Sequence, residues 1–198
     1  MFKRICKITF ITHGETIHTQ DGIISDSIKS PKLNEFGEED IERVCDYLKK
    51  RGVAYDTIYT SPMAYCTQTA NIIAKIFHKK PVQIDLKSRN HGDWQGKSYK
   101  EVFDELGANA LSKTPPNGET IKHFNKRVAA LINKLIYENE GNRIIVVTTP
   151  EVVQAVVSCV LGITQENQHK LLIKTGSLTQ VSYFEDWASI IYSDYKPL

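Results

Sequence analysis

Nowhere does this chain hold the roughly 20 consecutive apolar residues that a membrane-crossing helix needs, so a transmembrane protein is not expected. Cysteine is sparse and has no paired spacing. Cys6, Cys45, Cys66 and Cys159 lie far apart, each inside an apolar-periodic segment, a pattern of buried free thiols in a reducing compartment and not of disulfides or a zinc site. Charge of one sign does not accumulate either. Lys and Arg number 25 against 23 Asp and Glu, and the two signs are interspersed, which gives no electrostatic footprint for nucleic acid or for an anionic membrane surface. Lys49-Lys50-Arg51 and Lys79-Lys80 read as solvated helix ends. Basic residues precede the first apolar stretch, but Lys7 and His13 interrupt it and no small-residue cleavage site follows, so no secretory leader is expected. A Pro/Gly/Ser-rich linker is also missing. The expectation is a cytoplasmic protein forming one domain over residues 1–198, with no nucleic acid, no membrane, no metal and no cofactor.

What is present is an ordinary globular composition, 41% hydrophobic over 198 residues, enough for one sizeable core. Cys6 to Thr12 reads as a first strand. Asn34 opens an amphipathic helix through Ile41, Val44, Cys45 and Leu48 that stops near Gly52. Residues 56–60 form a short strand, and Ser61-Pro62 caps a helix with Ala70, Ile73, Ala74 and Phe77 on one face. Residues 82–86 fit another strand, and residues 119–140 a longer helix. The unbroken run Ile144-Ile145-Val146-Val147 within residues 143–148 argues a central strand covered on both faces. Pro150 opens a helix through Val160, and residues 177–184 and 189–192 are closing strands. This alternation predicts an α/β fold, a three-layer helix/sheet/helix sandwich around a mostly parallel sheet.

In such a fold ligands lie beyond the carboxyl ends of the strands. That rule selects Thr12-His13-Gly14-Glu15, the segment from Ser61 to Tyr65, and Thr148-Thr149-Pro150-Glu151. From the residues alone, His13 is a nucleophile, a base, or a packing or surface residue, and Ser61 and Thr149 read most simply as helix caps.

Five segments in register resemble the histidine phosphatase superfamily, the phosphoglycerate mutase-like proteins. Thr12-His13-Gly14-Glu15 is similar to its Arg-His-Gly motif. Ser61-Pro62-Met63 with Gln68-Thr69-Ala70 is similar to Ser-Pro-Leu-x-Arg-x-x-Gln-Thr-Ala. Residues 86–96, ending Gly92-Asp93-Trp94-Gln95-Gly96, and Gly118-Glu119-Thr120 with Arg127 match two further segments, and residues 145–148 match the strand before the family's second histidine. The resemblance implies the phosphoglycerate mutase-like fold and, for His13, the phosphoryl-accepting role. It also implies that the two phosphate-holding arginines fall at Thr12 and Tyr65, the general acid at Ser88, the second histidine at Thr149 and a phosphate-side asparagine at Thr19.

Phosphoryl transfer rests on positioning and on neutralising the equatorial oxygens, and threonine and serine offer only neutral hydrogen bonds. Each charge-assisted bond is worth about 1.5–3 kcal/mol, so losing several weakens phosphate binding by orders of magnitude. Gly14 and Glu15 remain beside His13 as pocket neighbours. Glu151 would repel a phosphate, whereas Arg89, His91 and His18 are the groups that would have to step in. The sequence therefore reads as a degenerate histidine phosphatase-like protein, a pseudoenzyme that binds a protein partner or a weakly charged small ligand, with a homodimer as an option. The alternatives are a low-efficiency phosphomonoesterase working through His13, a phosphoglycerate mutase-family enzyme, and a pure scaffold module.

Overall fold

A strand made only of apolar residues must be buried on both faces, and residues 143–148 meet that condition. Ile144 and Val146 point into one apolar cluster while Ile145 and Val147 point into the other. The computed structural model describes residues 3–25, 30–107 and 110–198. In chain order its elements are β1 (Arg4–Thr12), α1 (Ile17–Gln20), α2 (Glu35–Arg51), β2 (Thr57–Thr60), α3 (Ala64–Phe77), β3 (Val82–Gln83), α4 (Tyr99–Leu106), α5 (Ile121–Glu138), β4 (Arg143–Thr148), α6 (Pro150–Leu161), β5 (Leu178–Phe184) and β6 (Ala188–Tyr195). The sheet runs β3-β2-β4-β1-β5-β6. Its first four strands are mutually parallel, and β5 and β6 join antiparallel.

Helices α2 and α3 cover one face of the sheet and α5 and α6 the other, which is the expected three-layer α/β architecture. Within β1, Cys6, Ile8 and Phe10 enter the α5/α6 core and Ile11 enters the α2/α3 core, the period-2 alternation of a strand. A third small cluster forms from Ile24, Trp94, Val102 and Ala110, with Phe103 and Leu106 packed against it. Through Trp94 it seats the segment of residues 92–96.

Several boundaries differ from the sequence reading for local reasons. Residues 82–86 supply only the two-residue β3, which pairs with Tyr59 and Thr60 at the end of a four-residue β2. Ser61 does not cap α3. That helix starts at Ala64, and its capping position is Met63, whose side chain makes no capping bond; the Ala64 N–H donates instead to the Ser30 hydroxyl at 2.9 Å. The long helix begins at Ile121 because the Thr120 hydroxyl accepts from the His123 N–H. Cys45, Cys66 and Cys6 are buried free thiols as expected, whereas Cys159, on α6, is exposed. The sequence reading also passed over α4, although Ser98 and Glu101 form a capping box at its start.

Candidate functional site

Parallel pairing places the ends of β1 and β4 side by side, with Thr12 opposite Thr148. The His13 N–H then donates to the Thr148 carbonyl at 3.0 Å, and the Ser61 N–H to the Val147 carbonyl at 2.9 Å. All three segments picked from the sequence therefore meet at one edge of the sheet, beyond the carboxyl ends of its strands. Ser61 fastens that edge, its hydroxyl lying 2.5 Å from the Leu86 carbonyl and 2.9 Å from the Thr148 hydroxyl. It is a cross-strand tie, not a helix cap.

His13 is buried. Its Nδ1 lies 2.7 Å from the Gly14 carbonyl. A carbonyl oxygen only accepts, so in the neutral ring Nδ1 carries the proton and Nε2 keeps its lone pair. Burial lowers the pKa of His13 to about 4, against a smaller upward pull from that bond to Gly14. The imidazole is thus neutral near pH 7 and oriented with its basic nitrogen free.

Directly against it lies the phenol ring of Tyr65, with ring centroids 4.2 Å apart and planes tilted by 39°. Tyr65 is itself buried, and burial raises its pKa while a hydrogen bond with the Ser88 side chain pulls the other way. Ser88 is therefore a neighbour of the Tyr65 hydroxyl. Thr12 is held elsewhere. Its hydroxyl lies 2.7 Å from the Lys174 carbonyl and accepts from the Ser177 N–H at 2.8 Å, tying the end of β1 to the entry of β5. Thr19 is exposed and is absorbed in the capping box of α1, where its hydroxyl accepts from the Thr16 N–H at 2.8 Å. Thr149 occupies the N-cap position of α6 but makes no capping bond, and its buried hydroxyl has no hydrogen-bond partner among the described residues. The capping role read for Thr149 is therefore not realised.

The basic side chains singled out from the sequence, Arg89, His91 and His18, are bound to partners within the protein. Arg89 is buried and its guanidinium donates to three backbone carbonyls, those of Glu119 at 2.8 Å, Leu111 at 3.1 Å and Lys113 at 2.6 Å. His91 places Nε2 2.7 Å from a Glu151 carboxylate oxygen. Burial pushes the Glu151 pKa up, but His91, the Arg89 charge and the Arg89 N–H outweigh it and hold the carboxyl below its usual value. His18 meets Ser25 at 3.3 Å. Glu15 accepts from Asn34 Nδ2 at 3.0 Å, linking the loop after β1 to the start of α2. Gly14 donates to the Thr69 hydroxyl at 3.2 Å and packs its backbone on Gly37.

Arg127 makes a bidentate pair with Glu119, at 2.8 and 2.9 Å, and also donates to the carbonyls of Lys87 and Ser88. It therefore positions the segment that carries Ser88 and Arg89. Behind Glu151 lies a cavity of about 200 Å³ lined by Arg89, His91, Tyr99 and His169. Buried Nδ1 atoms of His91 and His169 have no hydrogen-bond partner among the described residues. His169 was not singled out from sequence, because it sits in a short turn with no motif around it. Among the described residues no group of three or more His, Cys, Asp and Glu has the arrangement of a metal site, and no helix is long and apolar enough to cross a membrane.

Comparison with known proteins gives a consistent picture. The model of the histidine phosphatase superfamily (branch 1) matches residues 8–192. The chain is 30% identical to the metal-independent phosphoserine phosphatase of Arabidopsis thaliana, with 98% of this chain and 84% of that protein covered. It is 24% identical to the broad-specificity phosphatase YOR283W of Saccharomyces cerevisiae, over 92% of this chain and 81% of that protein. Among solved structures it is similar to a phosphoserine phosphatase mutant from Entamoeba histolytica in complex with phosphoserine. The TM-score there is 0.84 at 21% identity, covering 96% of this chain and 97% of that one.

Proposed function

The chain belongs to the histidine phosphatase superfamily, and from that premise we propose that it is a member whose phosphoryl site is closed, acting as a binding or regulatory module and not as an efficient phosphatase. The observation that carries this reading is the Tyr65 ring lying 4.2 Å from the buried His13 imidazole, in the place the resemblance gives to a phosphate-holding arginine. A phosphoryl group brings a dianion that needs cations and preorganised donors. The positions that the resemblance assigns to the phosphate site hold Thr12, Tyr65, Ser88, Thr149 and Thr19, all neutral. Arg89 and His91 face loop carbonyls and Glu151.

The second reading, a phosphomonoesterase of low efficiency, is favoured by one feature. The Gly14 carbonyl selects the His13 tautomer whose Nε2 is free to attack phosphorus. Hydrolysis of p-nitrophenyl phosphate separates the two. The wild-type rate should match that of His13→Ala, and millimolar orthovanadate should leave the melting temperature unmoved, since ligand stabilisation follows RT ln(1 + [L]/Kd). A His13-dependent turnover together with vanadate stabilisation of several degrees would sink the closed-site reading and establish the second.

A further inference from the structure

At the starting ends of β1 and β4, away from His13, Lys7 stands opposite Arg143 in the parallel register. Adjacent strands lie about 4.8 Å apart, so the two side chains are neighbours. Alternation along each strand turns both toward the α2/α3 layer, since Ile11 of β1 and Ile145 and Val147 of β4 pack into that layer. Arg51 ends α2 on the same side, and the link after it runs through Asp56, whose N–H donates to the Arg143 carbonyl at 2.8 Å. Arg4 opens β1 just before Lys7. Cations far apart in the chain are thereby gathered in one place.

Nothing in the protein neutralises them. Among the described residues none of the four takes part in an ion pair, and none of their side chains makes a hydrogen bond. Asp56 offers a carboxylate nearby, but that group accepts from the Arg143 backbone N–H at 2.8 Å. Arg4 and Arg51 are exposed, and Lys7 and Arg143 are half-buried. No nitrogen of Lys7 or Arg143 is among the polar atoms sealed off without a partner, so these charges stay within reach of a ligand. Burial lowers the Lys7 pKa, and the charges of Arg4, Arg143 and Arg51 lower it further, which shows how closely the four stand. One basic residue at a helix end is ordinary, because it answers the helix dipole. Two more from neighbouring strands, turned to the same side without an acid to pair them, call for an anion.

Their chemistry restricts that anion. Guanidinium forks grip phosphate oxygens in pairs, and lysine adds a point charge. Four cations against the one Asp56 carboxylate leave a surplus of three positive charges, more than a single orthophosphate balances. Because Lys7 and Arg143 are half-buried, a compact group reaches them more readily than a flat membrane or a rigid duplex does. We propose that Lys7, Arg51 and Arg143, with Arg4 beside them, bind a soluble anion carrying several linked phosphate groups. The site lies at the end of the sheet away from His13, so the proposal goes beyond the function assigned above and does not depend on it.

Isothermal titration calorimetry with sodium tripolyphosphate near neutral pH and at moderate salt tests it. Tripolyphosphate should bind saturably at submillimolar concentration, whereas orthophosphate should not saturate in the same range. Arg51→Gln and Lys7→Met should each weaken tripolyphosphate at least tenfold, and His13→Ala should leave it unchanged. Arg51 is exposed at a helix end and Lys7→Met keeps the aliphatic stem, so both variants should keep the fold, which circular dichroism checks. Absence of saturable binding to the wild type would overturn the proposal, as would unchanged affinity in the folded Arg51→Gln and Lys7→Met proteins. Binding lost in His13→Ala would put the ligand at the phosphoryl site and overturn it too. It also fails if the wild type cosediments with phosphatidylserine vesicles through Arg51 and Lys7 and tripolyphosphate does not release it.

Discussion

At the scale of single residues, the neutral state of His13 couples stability to acidity. Its folded pKa is about 4 and its unreacted reference value is 6.5. Between those values the unfolded chain takes up a proton that the folded chain refuses, so this contribution is complete above pH 6.5 and is lost as pH falls toward 4. By pH 5 the loss amounts to about 2 kcal/mol. Urea unfolding at pH 7 and pH 5 should show that drop in the wild type and a clearly smaller one in His13→Gln. An identical pH dependence in both would mean that the imidazole is not sealed under Tyr65. The same residue shows how far the sequence could be followed. That His13 stands at a strand end with Gly14 behind it was legible from a strand pattern running into a motif. That Tyr65 covers it was not, because a tyrosine in the first turn of a helix gives no sign of which way its ring turns. Arg89 and Thr12 carried the same ambiguity: the chain listed their chemistry, and only packing revealed that both serve backbone groups.

At the scale of elements, the loop after β1 and the first turn of α2 touch backbone to backbone. A methyl group added at Gly14 would collide with the Gly37 carbonyl, and one added at Gly37 would collide with the backbone of Glu15. Neither glycine has a positive φ, so the requirement is close approach and not a left-handed turn. Gly14→Ala and Gly37→Ala should each destabilise the protein by about 1–3 kcal/mol, the usual cost of overpacking. Chemical denaturation measures it, and a neutral result in either variant would show that the contact yields freely. The Asn34 cap was readable from sequence, since asparagine before Glu35-Phe36-Gly37 fits a helix start and its side chain does accept from the Gly37 N–H at 2.8 Å. The glycine contact was not. It joins residues 14 and 37, which share no local pattern, and appears only once the chain is folded back on itself.

At the scale of the whole molecule, the order of strands and helices followed from apolar periodicity, because a parallel sheet buried on both faces leaves a strong imprint on its central strand. The segment of residues 84–120 left a weaker one. It lacks long regular elements, and side chains reaching across to backbone carbonyls hold it in place. Arg89 is the clearest case, because one guanidinium donates to carbonyls of Leu111, Lys113 and Glu119. A group that elsewhere could have met an anion here makes a loop share the fate of the strand edge. Opening the loop means breaking three bonds to a buried cation at once, so residues 110–119 should open together with the edge and not fray separately. Arg89→Lys keeps the charge but gives up the planar fork. Amide hydrogen exchange in residues 110–119 should then quicken at least tenfold while β1 and β4 keep their protection. Unchanged exchange in that loop would show that its cooperativity has another source. In the wild type this single side chain sets the boundary of a unit of local unfolding, one that runs from the sheet edge beside His13 to the far side of the loop.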